Sequence, residues 1–109
     1  MTLFGTRPEI IKLSRLVPIL DTKFQQVLVH TGQHYSHHLD AQFIEELQFR
    51  HPDYNLAVGS GEQGYQVGTI MIRLEAVIQK EKPALLLVYG DTNSTVAGAL
   101  LAAKLRLPF

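Results

Sequence analysis

The 109-residue chain contains no cysteine, which excludes disulfides and thiolate metal sites. It has no excess of either charge, with 10 Lys and Arg against 10 Asp and Glu. A balanced chain lacks the broad electrostatic footprint for nucleic acid or an anionic membrane surface, so any anion must be held by a few placed groups. No apolar run approaches the ~20 residues needed to span a bilayer. The first residues lack a basic stretch followed by an apolar core, so no signal peptide is expected. Internal repeats and low-complexity tracts are also absent. These absences lead us to expect a soluble, cytoplasmic protein with no nucleic-acid or membrane partner. What the chain does have is 46% hydrophobic and 18% charged residues, a foldable composition, at a length that suits one domain over residues 1–109.

Apolar runs alternate with helical patterns. Residues 1–4 are a short apolar start broken by Gly5-Thr6. From residue 7 to about residue 20, Ile10, Leu13, Val17 and Leu20 share a helical face, with Ile11 and Leu16 beside it. Thr6 and Glu9 have capping-box spacing, and Pro8 falls in the first turn, where its missing N–H is harmless. Pro18 is expected to kink or shorten this helix. Residues 26–30 read as a strand ended by Thr31-Gly32, and residues 36–48 as a second helix. Residues 54–58 form a short strand candidate. Residues 62–80 read as a third helix, with Val67, Ile70, Leu74 and Ile78 on one face. Residues 84–89 (ALLLVY) form the most distinct strand, apolar on both faces, as in a buried parallel strand covered by helices on both sides. A fourth helix is expected over 91–105, where Ala97, Gly98, Ala99, Ala102 and Ala103 permit close approach to a sheet. Residues 107–109 look like the start of another strand. Strand–helix alternation points to an α/β fold, a Rossmann-like parallel sheet flanked by helices.

Ligands of such sheets sit at the carboxyl ends of the strands, near the point where strand order reverses. Three strand ends concentrate the polar residues: Gly5-Thr6-Arg7, Thr31-Gly32-Gln33-His34 and Gly90-Asp91-Thr92-Asn93. At the first, a glycine turn and a helix N-terminus offer free N–H groups, and Arg7 adds a forked donor suited to phosphate. Lys12 lies five residues further and points somewhat aside. The plainer reading is a capped helix start with two surface cations. At the third, Asp91 suits a general acid, a general base or a binder of hydroxyls; it is equally a preferred helix-capping residue. At the second, Gln33 and His34 are ligand-contact candidates or an ordinary loop. His34 and His38 share metal-ligand spacing, yet there is no H-E-x-x-H pattern and no third ligand, so no metal is expected. G-x-G-x-x-G is absent as well, so dinucleotide binding has no support.

Taken together, these strand ends carry a resemblance. Gly5-Thr6-Arg7-Pro8-Glu9 followed by Ile10-Ile11-Lys12-Leu13 resembles the opening of UDP-N-acetylglucosamine (UDP-GlcNAc) 2-epimerases. Thr31-Gly32-Gln33-His34-Tyr35, Pro52-Asp53-Tyr54-Asn55-Leu56 and Lys82-Pro83 through Val88-Tyr89-Gly90-Asp91-Thr92-Asn93-Ser94-Thr95 continue the match in order over nearly the whole chain. The resemblance implies the first half of a two-domain GT-B fold, with the active site between domains. It implies conversion of UDP-GlcNAc to UDP-N-acetylmannosamine (UDP-ManNAc) without NAD, metal or other cofactor. The route would be abstraction of the C2 proton, anti elimination of UDP, and re-addition of UDP with inverted C2.

By the same resemblance, Arg7 and Lys12 line the site near the nucleotide and diphosphate, and Asp91 is an essential carboxylate of the elimination. Gln33 corresponds to a position that contacts a second UDP-GlcNAc in allosterically regulated bacterial members. Ser36 stands where those members have another glutamine, and an arginine expected near Gly59–Gly61 is missing, so that style of activation is not expected here. Family members begin a few residues earlier and continue past residue 109 into a segment with catalytic glutamates and a uridine-binding domain. The chain is therefore expected to be a fragment, inactive alone. The alternatives are a non-catalytic binding or assembly module, for which a homo-oligomer would cover exposed apolar surface, and a part of a related GT-B sugar transferase.

Overall fold

A computed structural model of the chain describes residues 1–33, 42, 44–46 and 48–109. The elements are β1 (Thr2–Phe4), α1 (Arg7–Lys23), β2 (Leu28–His30), β3 (Tyr54–Asn55), α2 (Gln63–Glu81) and α3 (Asn93–Leu105). The expected helix over 36–48 falls largely outside the described residues; within it, residues 44–46 are helical.

The strands are parallel and ordered β1-β2-β3. Thr2, Leu3 and Phe4 stand opposite Leu28, Val29 and His30, while Val29 and His30 stand opposite Tyr54 and Asn55. On the free side of β1 runs the segment around Leu87. Leu3 N–H donates to the Leu87 carbonyl (3.0 Å), and Leu87 N–H donates to the Met1 carbonyl (2.8 Å). Leu86 N–H then donates to the Pro108 carbonyl at 2.9 Å. β1 is thus interior. Chain order runs outward from it to β2 and β3 on one side, then returns to the other side at residues 86–87.

Strand alternation divides the interior. Leu3, Val29 and Leu86 face a core built with Ile70, Leu74, Val77 and Ile78 of α2 and Ala97, Leu101 and Ala102 of α3. Phe4 and Leu28 face the other core, with Ile10, Leu13 and Val17 of α1 and with Ile44 and Phe49. Fully burying each of the Val, Leu, Ile and Phe side chains among these contributes about 1.5–3 kcal/mol. The small residues of α3 act as expected: a Cβ at Gly98 would lie 2.7 Å from Leu3 Cδ2, so the helix rests directly on the strand.

Three expectations need correcting. Of the two effects expected of Pro18, shortening is not seen, because α1 continues to Lys23. The proline is exposed, and on that side the carbonyl four residues earlier can be hydrated when it loses its N–H partner. The segment 84–89 is not a continuous strand, because its neighbour β1 is only three residues long and the pairing reduces to a single parallel bridge, Thr2 to Leu87. Nor is that segment covered on both faces. Leu86 is fully buried, but Leu85 is 51% and Tyr89 37% exposed, since α1 packs over β1 and β2 and leaves that flank open. On α2, Val67 packs partly buried against the same core as Ile70, Leu74 and Ile78, and Gln66 joins the buried stripe beside it.

Candidate functional site

Strand order reverses at β1, so the crevice a ligand would use lies between the loop after β1 and the loop after the Leu87 segment. The first loop carries Gly5, Thr6 and Arg7, and the second carries Gly90, Asp91 and Thr92. The two are joined directly. Glu9, in the first turn of α1, is only 3% exposed. Its carboxylate accepts from Gly5 N–H at 3.1 Å, from the Thr6 hydroxyl at 3.0 Å and from the Thr92 hydroxyl at 2.7 Å. The expected capping box is therefore rearranged: the Thr6 hydroxyl donates to Glu9 and does not cap a helix N–H. Glu9 spends its acceptors on the preceding turn and on a residue 83 positions away.

Thr31 and Gln33, directly after β2, are held by a second polar network. Ser94 N–H donates to Gln33 Oε1 at 3.1 Å, and the Ser94 hydroxyl also donates to Gln33 Oε1. With its proton so committed, Ser94 Oγ must accept from Thr31 Oγ1, 2.8 Å away. Gln66 reaches from α2 to donate to the Gln33 carbonyl (2.7 Å) and the Gly59 carbonyl (2.8 Å). Asn93 in turn donates to Gln66 Oε1 at 2.7 Å. Gly5 sits against this knot. A Cβ there would overlap Ser94 Oγ and Thr31 Oγ1 and come within 2.7 Å of Gln33 Oε1.

The residues singled out by sequence fall into three groups. Arg7, Lys12 and Asp91 gather around the crevice. Arg7 is the first residue of α1 and is partly buried. The Lys12 ammonium stands 5.5 Å from the ring centroid of Tyr89, two residues before the exposed Asp91, a cation–π contact that turns it toward the third strand end. Gln33 is different: it is 7% exposed, and its side-chain oxygen is used on Ser94. His34 lies outside the described residues. Asp91 is not the helix cap that its residue type allowed. That position belongs to Thr92, whose N–H donates to Thr95 Oγ1 at 3.3 Å and whose carbonyl accepts from Val96 N–H at 3.1 Å. Gly90 has φ +85°, a left-handed turn that presents Asp91 outward, and a side chain there would be strained.

Sequence reasoning missed Glu9 as a bridge, and also Ser94 and Gln66. Gln66 did leave a signal, a polar residue at helical spacing before Ile70 and Leu74, where a purely apolar face would continue. Among the described residues, no three His, Cys, Asp or Glu side chains stand together as a metal site. No helix among them is long and apolar enough to cross a membrane. A cavity of about 610 Å3 lies at the opposite, amino end of the strands, lined in part by Met1, Leu20, Phe24, Val27, Pro83 and Leu85. It is mostly apolar and holds none of the candidate residues. It marks the flank that α1 leaves uncovered.

With this geometry in place, similarity to known proteins is informative. The model of the family described as UDP-N-acetylglucosamine 2-epimerase matches residues 20–109. The chain belongs to this family. The match extends to residues before position 20 in individual epimerases. A UDP-N-acetylglucosamine 2-epimerase of Methanococcus maripaludis is 52% identical over 103 residues, which is 94% of this chain and 28% of the relative. A UDP-2,3-diacetamido-2,3-dideoxy-D-glucuronate 2-epimerase of Pseudomonas aeruginosa is 43% identical over 110 residues, 99% of this chain and 31% of the relative. The crystal structure of the Methanocaldococcus jannaschii UDP-GlcNAc 2-epimerase, in complex with UDP-GlcNAc and UDP, superposes with a TM-score of 0.90 at 48% identity. That superposition covers 97% of this chain and 30% of the epimerase chain. The chain thus spans about 30% of the length of the epimerases it matches, and its Rossmann-like fold is that of the part of theirs it covers.

Proposed function

We propose that the chain forms the amino-terminal α/β part of an enzyme that epimerises UDP-GlcNAc at C2, giving UDP-ManNAc, and that it is inactive without a second, UDP-binding domain. The observation that carries this reading is the convergence of Arg7, Lys12 and the Asp91 loop at the switch point of a sheet that superposes closely on an epimerase holding UDP-GlcNAc and UDP. In the reaction, a base removes the C2 proton and the C2–H electron pair becomes the C1=C2 bond. The C1–O bond breaks and its pair leaves with UDP. Re-addition of UDP to C1 and return of a proton to the other face of C2 complete the inversion, with no net oxidation and hence no need for NAD. Arg7 and Lys12 suit the diphosphate, whose charge grows as UDP departs. Asp91, exposed at the crevice, suits proton transfer or hydroxyl binding. Gln33, one strand away, is kept as a substrate-side candidate through its side-chain amide alone, since its oxygen is held by Ser94; His34 is a candidate from the sequence only.

A second substrate is favoured by one observation, the 43% identity to the Pseudomonas diacetamido-glucuronate epimerase. Both readings share the 2-epimerase chemistry. The test is turnover of each UDP-sugar, read by NMR. The chain alone is expected to release neither epimer nor UDP. The chain fused to the remaining two-thirds of the Methanocaldococcus relative is expected to convert UDP-GlcNAc. Turnover by the chain alone defeats the incompleteness claim. Conversion only of the glucuronate sugar replaces the substrate, and an inert, folded fusion defeats the function.

A further inference from the structure

The Asp91 turn is held at both sides by side chains that sequence alone does not connect. On its carboxyl side, the Thr92 hydroxyl donates to Glu9 Oε1 at 2.7 Å. On its amino side, the Thr95 hydroxyl donates to the Tyr89 carbonyl at 2.7 Å. Glu9 also lies under the turn itself: a Cβ on Gly90 would stand 3.9 Å from Glu9 Cγ. The same carboxylate holds the first loop through Gly5 N–H and Thr6. An ionised carboxylate only accepts, with room for about four donors, so it can bind donors from both loops at once. Its place in the first turn of α1 adds favourable alignment with the helix dipole. One buried side chain therefore ties the loop that leads into Arg7 to the turn that carries Asp91.

We propose that Glu9 is a positioning residue: acting through Thr92, it fixes the Gly90-Asp91 turn against the loop after β1 and so sets where the Asp91 carboxylate stands. This rests on the epimerase reading for its catalytic consequence but not for its structural content. The residue that should reveal it is Thr92. Valine there keeps the shape and removes the hydroxyl, and serine restores the hydroxyl.

Two measurements decide the matter. In the 109-residue chain, 15N relaxation reports the order of residues 90–92. These are expected to be rigid in the unmodified chain, with order parameters near about 0.85, and to fall toward about 0.6 in both Glu9→Ala and Thr92→Val. Thr92→Ser should stay near the starting value. A turn that is already mobile, or one indifferent to Thr92→Val, overturns the proposal whether or not the epimerase reading holds. If Glu9→Ala fails to fold, Glu9→Gln takes its place, because Thr92→Val also removes the hydroxyl that caps α3 and only a Glu9 variant tests the link with that cap intact. In the active fusion, a misplaced Asp91 should lower kcat about 10- to 100-fold in Thr92→Val with KM within about threefold, and Thr92→Ser should recover most of it. A rise in KM at unchanged kcat overturns the positioning role. An inert fusion with the expected relaxation changes instead counts against the function and leaves Glu9 as the link between the loops.

Discussion

The two ends of the sheet are built from opposite materials. At the carboxyl end, Glu9, Thr31, Gln33, Gln66 and Ser94 are all at most 7% exposed and bond to one another or to nearby backbone. At the amino end, the chain leaves an apolar hollow of about 610 Å3 and exposes Phe24 by 64% and Leu85 by 51%. Its ion pairs are peripheral, Arg50 to Asp21 at 3.0 Å and to Asp53 at 3.1 Å, pairs of a kind worth little at a surface, and its buried polar side chain, Thr2, donates to the neighbouring Gln26 outside any shared network. Buried polar groups raise the energy unless each is satisfied. A chain that concentrates them at one end must hold that end in one arrangement, and this is what a ligand site requires. Apolar surface left at the other end needs only to be covered, and many shapes can cover it.

This contrast can be tested from both sides. The largest effect is expected at Gly5. Gly5→Val forces carbons into the space of Ser94, Thr31 and Gln33, which combines overpacking with broken buried hydrogen bonds and should remove roughly 3 kcal/mol or more of stability. Urea unfolding checks it; a loss below about 1 kcal/mol would show that the knot is loose. Next comes Asp91→Asn in the active fusion, where turnover should drop about 100-fold or more. The unfolding midpoint should hardly move, because Thr92 and not Asp91 is the helix cap. Near-normal turnover removes Asp91 from the chemistry. Ser94→Ala should follow, destabilising the chain by about 1–3 kcal/mol, since it strands a Thr31 hydroxyl that is fully buried. The smallest change is expected at the amino end. Phe24→Ser should alter stability by no more than about 0.5 kcal/mol. A loss above about 2 kcal/mol there would mean that the hollow is part of the working core and would erase the contrast between the ends.

Much of the architecture was legible in the residues. The periodic faces of α1 and α2 named Ile10, Leu13, Val17, Ile70, Leu74 and Ile78, all of which are buried. The small residues of α3 foretold its close approach to β1. Gly5-Thr6-Arg7 and Gly90-Asp91-Thr92 stand at neighbouring strand ends, on either side of the point where strand order reverses. The segment 84–89 was harder to read, because an apolar sequence states that burial is favourable and not whether a neighbour is present to supply it. Gln33 was read as a ligand contact, but its side-chain oxygen is committed to Ser94; a polar residue in a loop motif has the same appearance in either role. Glu9 was visible only as a capping partner, since its bonds to Gly5 and Thr6 are local and its bond to Thr92 is not.

By itself, the sequence determined what nearest neighbours in the chain can settle: helix faces through a 3.6-residue period, turns through glycine, and the absence of cysteine chemistry through composition. Tertiary structure alone decided which loop stands beside which. The meeting of Glu9 with Thr92, the turn of Lys12 toward Tyr89, and the burial of Gln33 behind Ser94 all depend on strands pairing across the sheet. Those pairings form between residues far apart in the chain, where no local period carries information and only the packing of the whole sheet selects the partner.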